Sequence, residues 1–102
     1  MKKGKICSQV AHASLNSYLI TSKKNKEIVE KWLNEGQKKI ILKTSLEEIL
    51  EIKKYFDEKG IPNVLIRDMG LTQVKRGDIT CLGIGPWYEE EIDKKTKHLK
   101  LL

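Results

Sequence analysis

The chain has 102 residues, 39% of them hydrophobic and 33% charged, with a formal net charge of +6. That suits one domain with one modest core. It excludes a membrane protein, because no apolar run approaches the roughly 20 residues that cross a bilayer. The Lys-rich start is not followed by the apolar stretch of a secretory leader. Cys7 and Cys81 are too few for a disulfide scaffold, and neither is spaced with His12 or His98 as zinc ligands are. Both thiols are expected to be reduced and interior, the protein cytoplasmic, and metal and cofactor absent. The charge is uneven: lysines crowd residues 1–5 and 23–26, acidic residues 47–58 and 89–93. A basic face opposite an acidic one is expected, which suits a polyanionic partner without requiring one.

In chain order, Ile6, Val10, Ala13, Ser17 and Ile20 recur at helical spacing and predict a helix over 6–20. Its narrow side, Ala11 and Ser14, would let another backbone come close. A polar break spans Thr21 to Asn25. A second helix carries Ile28, Val29, Trp32 and Leu33 on one face and stops at Gly36. Lys39 to Lys43 brackets the apolar Ile40-Ile41-Leu42 and reads as a buried central strand. Ser45 and Glu48 have capping-box spacing and open a third helix with an inner stripe of Leu46, Ile49, Leu50, Lys53 and Phe56. Gly60 and Pro62 stop it. Val64 to Ile66 is a second strand, and strand, helix, strand of this length predicts a parallel pair with a right-handed crossover. A turn follows at Asp68-Met69-Gly70. Ile79 to Ile84 is a third strand ending at Gly85-Pro86, and Glu89 to Asp93 suits a short helix. The expected fold is α/β: a single layered domain over 1–102, with a small mixed β-sheet and helices on both faces.

Three clusters can carry chemistry. Lys3-Gly4-Lys5 opens the first helix, where an anion can bind, though a basic chain end is as good a reading. Arg67 to Gln73 follows a strand end, where open α/β sheets bind ligands, and offers Asp68, Thr72 and Gln73. Asp and Gly are also ordinary turn residues there. Thr80 interrupts an apolar strand, which a β-branched residue can do for structural reasons alone. His12 reads more readily as a structural helical histidine than as a base. From the residues alone no reaction is named.

The motifs say more. Residues 3–14, Lys3-Gly4-Lys5-Ile6 through Gln9-Val10-Ala11-His12-Ala13-Ser14, resemble a signature segment of the peptidyl-tRNA hydrolases of archaeal and eukaryotic type. So do Glu35-Gly36-Gln37-Lys38-Lys39-Ile40, the Arg67-Asp68-Met69-Gly70-Leu71-Thr72-Gln73 loop, the Gly77 to Pro86 strand, and the ending from Asp93 to Leu102. Five motifs in order cover nearly the whole chain. Met69, Lys75-Arg76 and Lys97 depart from the family pattern without removing a polar group expected at the site. Family members begin with a strand and a turn ahead of Lys3, so a first, central strand is expected to be absent and the chain to be poorly stable without it.

The resemblance implies hydrolysis of the ester between a peptide carboxyl and the terminal ribose of tRNA. It implies catalytic roles for Lys5, Asp68, Thr72 and Thr80, with His12 in a second tier. Asp68 would orient or deprotonate a water, Lys5 would neutralise the developing oxyanion, and the threonines would fix geometry. The four are expected to line one cleft at the C-terminal side of the strands. Lys3, Lys38, Lys39, Arg67 and Gln73 would meet tRNA phosphates or its end, read without sequence preference. A homodimer is a further expected partner; a membrane is not. The rival readings are a non-catalytic RNA-binding or protein-interaction domain, and a truncated inactive copy.

Overall fold

In the computed structural model, the described residues are 1–68 and 78–102. Helix α1 (Lys3–Lys24) is longer than the apolar spacing predicts. It buries Gln9, Ala13, Ser17 and Thr21, one residue per turn at intervals of four. Thr21 therefore continues the buried stripe, and the expected polar break shrinks to Asn25. That residue leaves the helical region (φ −151°), and its side-chain oxygen accepts from the Ile28 amide to cap α2 (Lys26–Asn34). Tyr18 and Trp32 hold α1 and α2 together, their ring centroids 6.1 Å apart.

Strand β1 is only Leu42–Lys43. Ser45 accepts from the Glu48 amide and caps α3 (Leu46–Lys59), which ends at Gly60 in the left-handed conformation, φ +70°. Strands β2 (Asn63–Arg67) and β3 (Ile79–Ile84), helix α4 (Glu89–Thr96) and strand β4 (Lys100–Leu101) complete the described chain.

The class is α/β, but among the described residues the expected mixed sheet with a parallel strand–helix–strand unit is replaced by two antiparallel pairs, β1 with β4 and β2 with β3. Among the described residues α3 packs on β2 and β3 and not on β1. Its buried residues are therefore spent on the β2–β3 ribbon, and β1 pairs with β4 instead of lying beside β2. Ile40 and Ile41 accordingly stand exposed, Ile40 at 55%, where a buried central strand was expected. The inner stripe of α3 is also rotated. Ile52 and Phe56 are buried while Leu46 and Leu50 are exposed. The two buried residues join Ile61 to form the core, against Tyr55, Leu82, Ile84, Trp87, Ile92 and Leu99.

The β2–β3 ribbon carries a helix on each face. Leu82 and Ile84 turn toward α3, while Cys81 and Gly83 meet α1. Contact with α1 is close: a Cβ on Gly83 would lie 2.5 Å from the Ala13 carbonyl oxygen. The ladder runs from Asn63↔Ile84 to Ile66↔Cys81 and then shifts to Arg67↔Ile79, which leaves Thr80 as the extra residue of a β-bulge. Among the described residues no helix is long and apolar enough to cross a membrane.

Candidate active site

The first turn of α1 is anchored to the end of β2. Lys5 Nζ donates to Asp68 Oδ2 at 2.5 Å, with 41% and 20% of the two side chains exposed. Asp68 follows β2 directly, and its amide donates to the Asp78 carbonyl at 2.8 Å, which ties the end of β2 to the residue just before β3. The pair suits the helix. No acidic residue stands in the first turn of α1, so the Asp68 carboxylate supplies the negative charge that a helix N-terminus favours.

One turn further, Gln9 is nearly buried between α1 and β3. Its Nε2 donates to Thr80 Oγ1 at 2.8 Å, and Thr80 Oγ1 donates to the Ile66 carbonyl at 3.1 Å. The bulge makes this possible. Regular alternation would send Thr80 to the α3 side with Leu82 and Ile84; as the extra residue it reaches Gln9 on the α1 side. Cys81 Sγ donates to the Gln9 carbonyl at 3.4 Å, and partial burial pushes its thiol pKa up. Three elements thus bring Lys5, Asp68 and Thr80 to one end of the β2–β3 ribbon. That end is the C-terminal end of β2 but the N-terminal start of β3, because the pair is antiparallel; the expected cleft at the C-terminal side of parallel strands is corrected accordingly. Thr72 and Gln73 lie outside the described residues.

His12 is exposed on α1 without a hydrogen-bond partner among the described residues. Lys3 and Arg67 are exposed at the same end as the Lys5–Asp68 pair. Lys38 and Lys39 are elsewhere. Lys38 pairs with Glu89 at 3.3 Å, and Lys39 Nζ lies 5.2 Å from the centroid of the Trp32 ring, which packs on Tyr18. Tyr18 is thirteen residues along α1 from Lys5, about 20 Å at 1.5 Å per residue. Cys7 is exposed, not interior as expected, and both cysteines are free thiols. It borders an apolar groove with Val10, Ser14, Tyr18, Trp32 and Lys39, on positions of α1 roughly half a turn round from Lys5. Among the described residues no three His, Cys, Asp or Glu side chains gather closely enough to hold a metal ion.

Sequence reasoning missed Gln9. Its signal was the four-residue spacing from Lys5, which puts both on one helix face.

The whole chain, residues 1–102, matches the family model described as Peptidyl-tRNA hydrolase PTH2. A peptidyl-tRNA hydrolase of Methanopyrus kandleri is 50% identical over all of this chain and 88% of its own length. One of Nanoarchaeum equitans is 52% identical over 97% of this chain and 87% of its own, and one of Thermoplasma acidophilum 48% identical over 100% and 88%. With a match along its full length and half its residues shared with proteins of that name, the chain belongs to the peptidyl-tRNA hydrolase PTH2 family.

Proposed function

We infer that the chain hydrolyses the ester bond of peptidyl-tRNA, releasing peptide and free tRNA, and that residues 1–102 act as one domain in doing so. Family membership carries the activity, and the Lys5–Asp68 pair beside Thr80 carries the assignment of the site. An ester needs an oriented water, stabilisation of the oxyanion and a proton for the leaving ribose hydroxyl. A carboxylate offers two oxygens and about four acceptor positions, so Asp68 can keep Lys5 and hold a water, taking its proton as attack proceeds and returning it to the leaving ribose oxygen as the C–O bond breaks. The Lys5 ammonium, already at the site, faces the charge that develops on the carbonyl oxygen. Direct attack by water is favoured over an acyl-enzyme, since among the described residues the site presents no Ser–His or Cys–His pair. Thr80 fixes geometry from the ribbon side, and Thr72 is assigned the same work. His12 stays in a second tier.

Lys3 and Arg67, exposed at the same end, are read as contacts to the tRNA end, together with Gln73. Lys38 and Lys39, about 20 Å away along α1, are read as contacts to phosphates further along the acceptor arm. Such contacts position the tRNA without reading its sequence. A homodimer is proposed, with the exposed Ile40 and Ile41 beside β1 as an apolar surface for it, and a cytoplasmic site of action.

The test is release of the blocked amino acid from an N-blocked aminoacyl-tRNA by the purified full chain. Turnover that disappears in Asp68→Asn while tRNA binding stays supports the reading. Binding of tRNA without turnover in the unmodified chain refutes it in favour of a non-catalytic RNA-binding domain.

A further inference from the structure

We propose that Gln9 is a positioning residue for the hydrolysis, its side-chain amide orienting the Thr80 hydroxyl so that Thr80 meets the reacting groups only as a hydrogen-bond acceptor. The inference rests on the hydrolase reading of the site and adds a direction to one of its hydrogen bonds.

A threonine hydroxyl has one proton and two acceptor positions. The proton of Thr80 goes to the Ile66 carbonyl at 3.1 Å. The competing acceptor, Cys81 Sγ, is 4.0 Å away and is a weak one. One acceptor position takes Gln9 Nε2 at 2.8 Å. What remains is a single acceptor position and no proton. Thr80 can therefore hold the O–H of a water or of a ribose hydroxyl, but it cannot donate to an oxyanion, and that work is left to Lys5. Gln9 enforces the arrangement. Were its amide oxygen at that place, Thr80 would have to donate to it and the Ile66 carbonyl at the bulge would lose its donor. Gln9 is 8% exposed, so water does not readily replace the amide. One helix face thus supplies both the cation at Asp68 and the amide at Thr80, four residues apart.

Two variants of the full chain test this on N-blocked aminoacyl-tRNA. Gln9→Met keeps the length and removes the donor. Its kcat is expected to fall about tenfold or more, as small misplacements at a site do, with KM within about twofold. Gln9→Glu restores a donor only when its carboxyl is protonated. The groups around it are Lys5 on α1, Arg67 and Asp68 at the end of β2, and Asp78 and Cys81 at the start of β3. Burial raises the new carboxyl's pKa while Lys5 opposes the rise. The ratio of Gln9→Glu to unmodified kcat should climb as pH is lowered from about 8 toward about 5. In a Thr80→Val background, where the new carboxyl still acts on Lys5 and Asp68 but has no hydroxyl to orient, the ratio should climb much less. A merely structural Gln9 would give no such dependence on Thr80.

A Gln9→Met variant at full kcat, or a Gln9→Glu ratio unchanged by pH in the presence of Thr80, overturns the proposal. An arm without turnover separates it from the hydrolase reading. The Gln9 side-chain amide signal in a nitrogen–proton correlation spectrum should exchange slowly in the unmodified chain and quickly in Thr80→Val. If the unmodified chain releases no product, the hydrolase reading falls. A rapidly exchanging Gln9 amide in the unmodified chain would overturn the hold on Thr80 by itself.

Discussion

A lysine in the first turn of a helix faces the positive end of the helix dipole, so Lys5 is stabilised by its partner and not by its place. Asp68 serves both the ammonium and the helix end. Asp68→Asn keeps the shape and is expected to lower kcat by roughly 10² to 10⁴, the usual scale for a lost general base. Affinity for tRNA should change little, which a filter-binding assay beside the release assay would check. Glu48 takes the Thr44 hydroxyl on Oε1 and the His98 ring on Oε2, both at 2.5 Å. The Thr44 hydrogen bond, then the one from His98, hold its carboxyl below the ordinary value of 4.5. A depressed folded pKa stabilises the fold above the unfolded value, and that stabilisation is lost as pH falls through the folded one. The melting temperature of Glu48→Gln should therefore lie below that of the unmodified chain at neutral pH, and the gap should close as pH drops below about 4.5. The cluster is exposed, so added salt should narrow the gap as well. A gap that persists in acid would show that the glutamine variant loses something other than charge.

At the scale of elements, the α1–β3 contact positions the site, and Gly83 is what allows it. An added methyl 2.5 Å from a backbone oxygen cannot be relieved by turning a side chain, so α1 itself must shift. Overpacking of this kind costs about 1–3 kcal/mol, and for a chain of this size each kcal/mol lowers the melting temperature by roughly 4–8 °C. Since Lys5 and Gln9 ride on α1, Gly83→Ala should lose kcat as well as stability. Phe56→Ala provides the contrast. Phe56 is fully buried on the α3 side of the ribbon, where truncation costs about 3–5 kcal/mol. At a temperature where the variant stays folded its kcat should be near normal. Equal kcat losses in the two variants would mean that the α1 side has no special claim on the site. Much at this scale was legible in the sequence, because the signals are local: the Ser45 cap, the Gly60 stop and the β3 boundaries depend on neighbours in the chain. Pairing was not. Ile40-Ile41-Leu42 is apolar enough for a central strand, yet an apolar run carries no information about which strand lies beside it, and β1 found β4. The site divides the same way. Lys5, Asp68 and Thr80 were named from motifs, whereas Gln9 becomes meaningful only once the bulge has turned Thr80 toward α1.

For the whole molecule, the ribbon separates charge as well as it separates helices. Helix α1, on one face, holds four lysines and no acidic residue. On the other side α3 holds five acidic residues against three lysines, and α4 four against two. The expected basic and acidic faces therefore follow the two faces of the ribbon, and the Lys5–Asp68 pair stands at one end of the basic one. A polyanion of the length of a tRNA acceptor arm would be drawn to the α1 face and kept off the α3 face before any specific contact forms. Affinity should accordingly fall with salt, and the slope of log affinity against log salt should drop by roughly 0.7 to 0.9 for each lysine–phosphate contact removed. Lys3→Ala, at the site end of the basic face, is expected to lose about that much slope, and Lys38→Ala the same if the arm reaches some 20 Å along α1 and draws the Lys38 ammonium from Glu89. Lys54→Ala, on the acidic α3, removes an equal charge from the molecule and should leave the slope unchanged. Measuring tRNA binding for the three variants between about 50 and 200 mM salt separates a directed basic face from mere net charge. Three equal losses would mean that the tRNA responds only to the total of +6, and the assignment of Lys3 and Lys38 as phosphate contacts would fail.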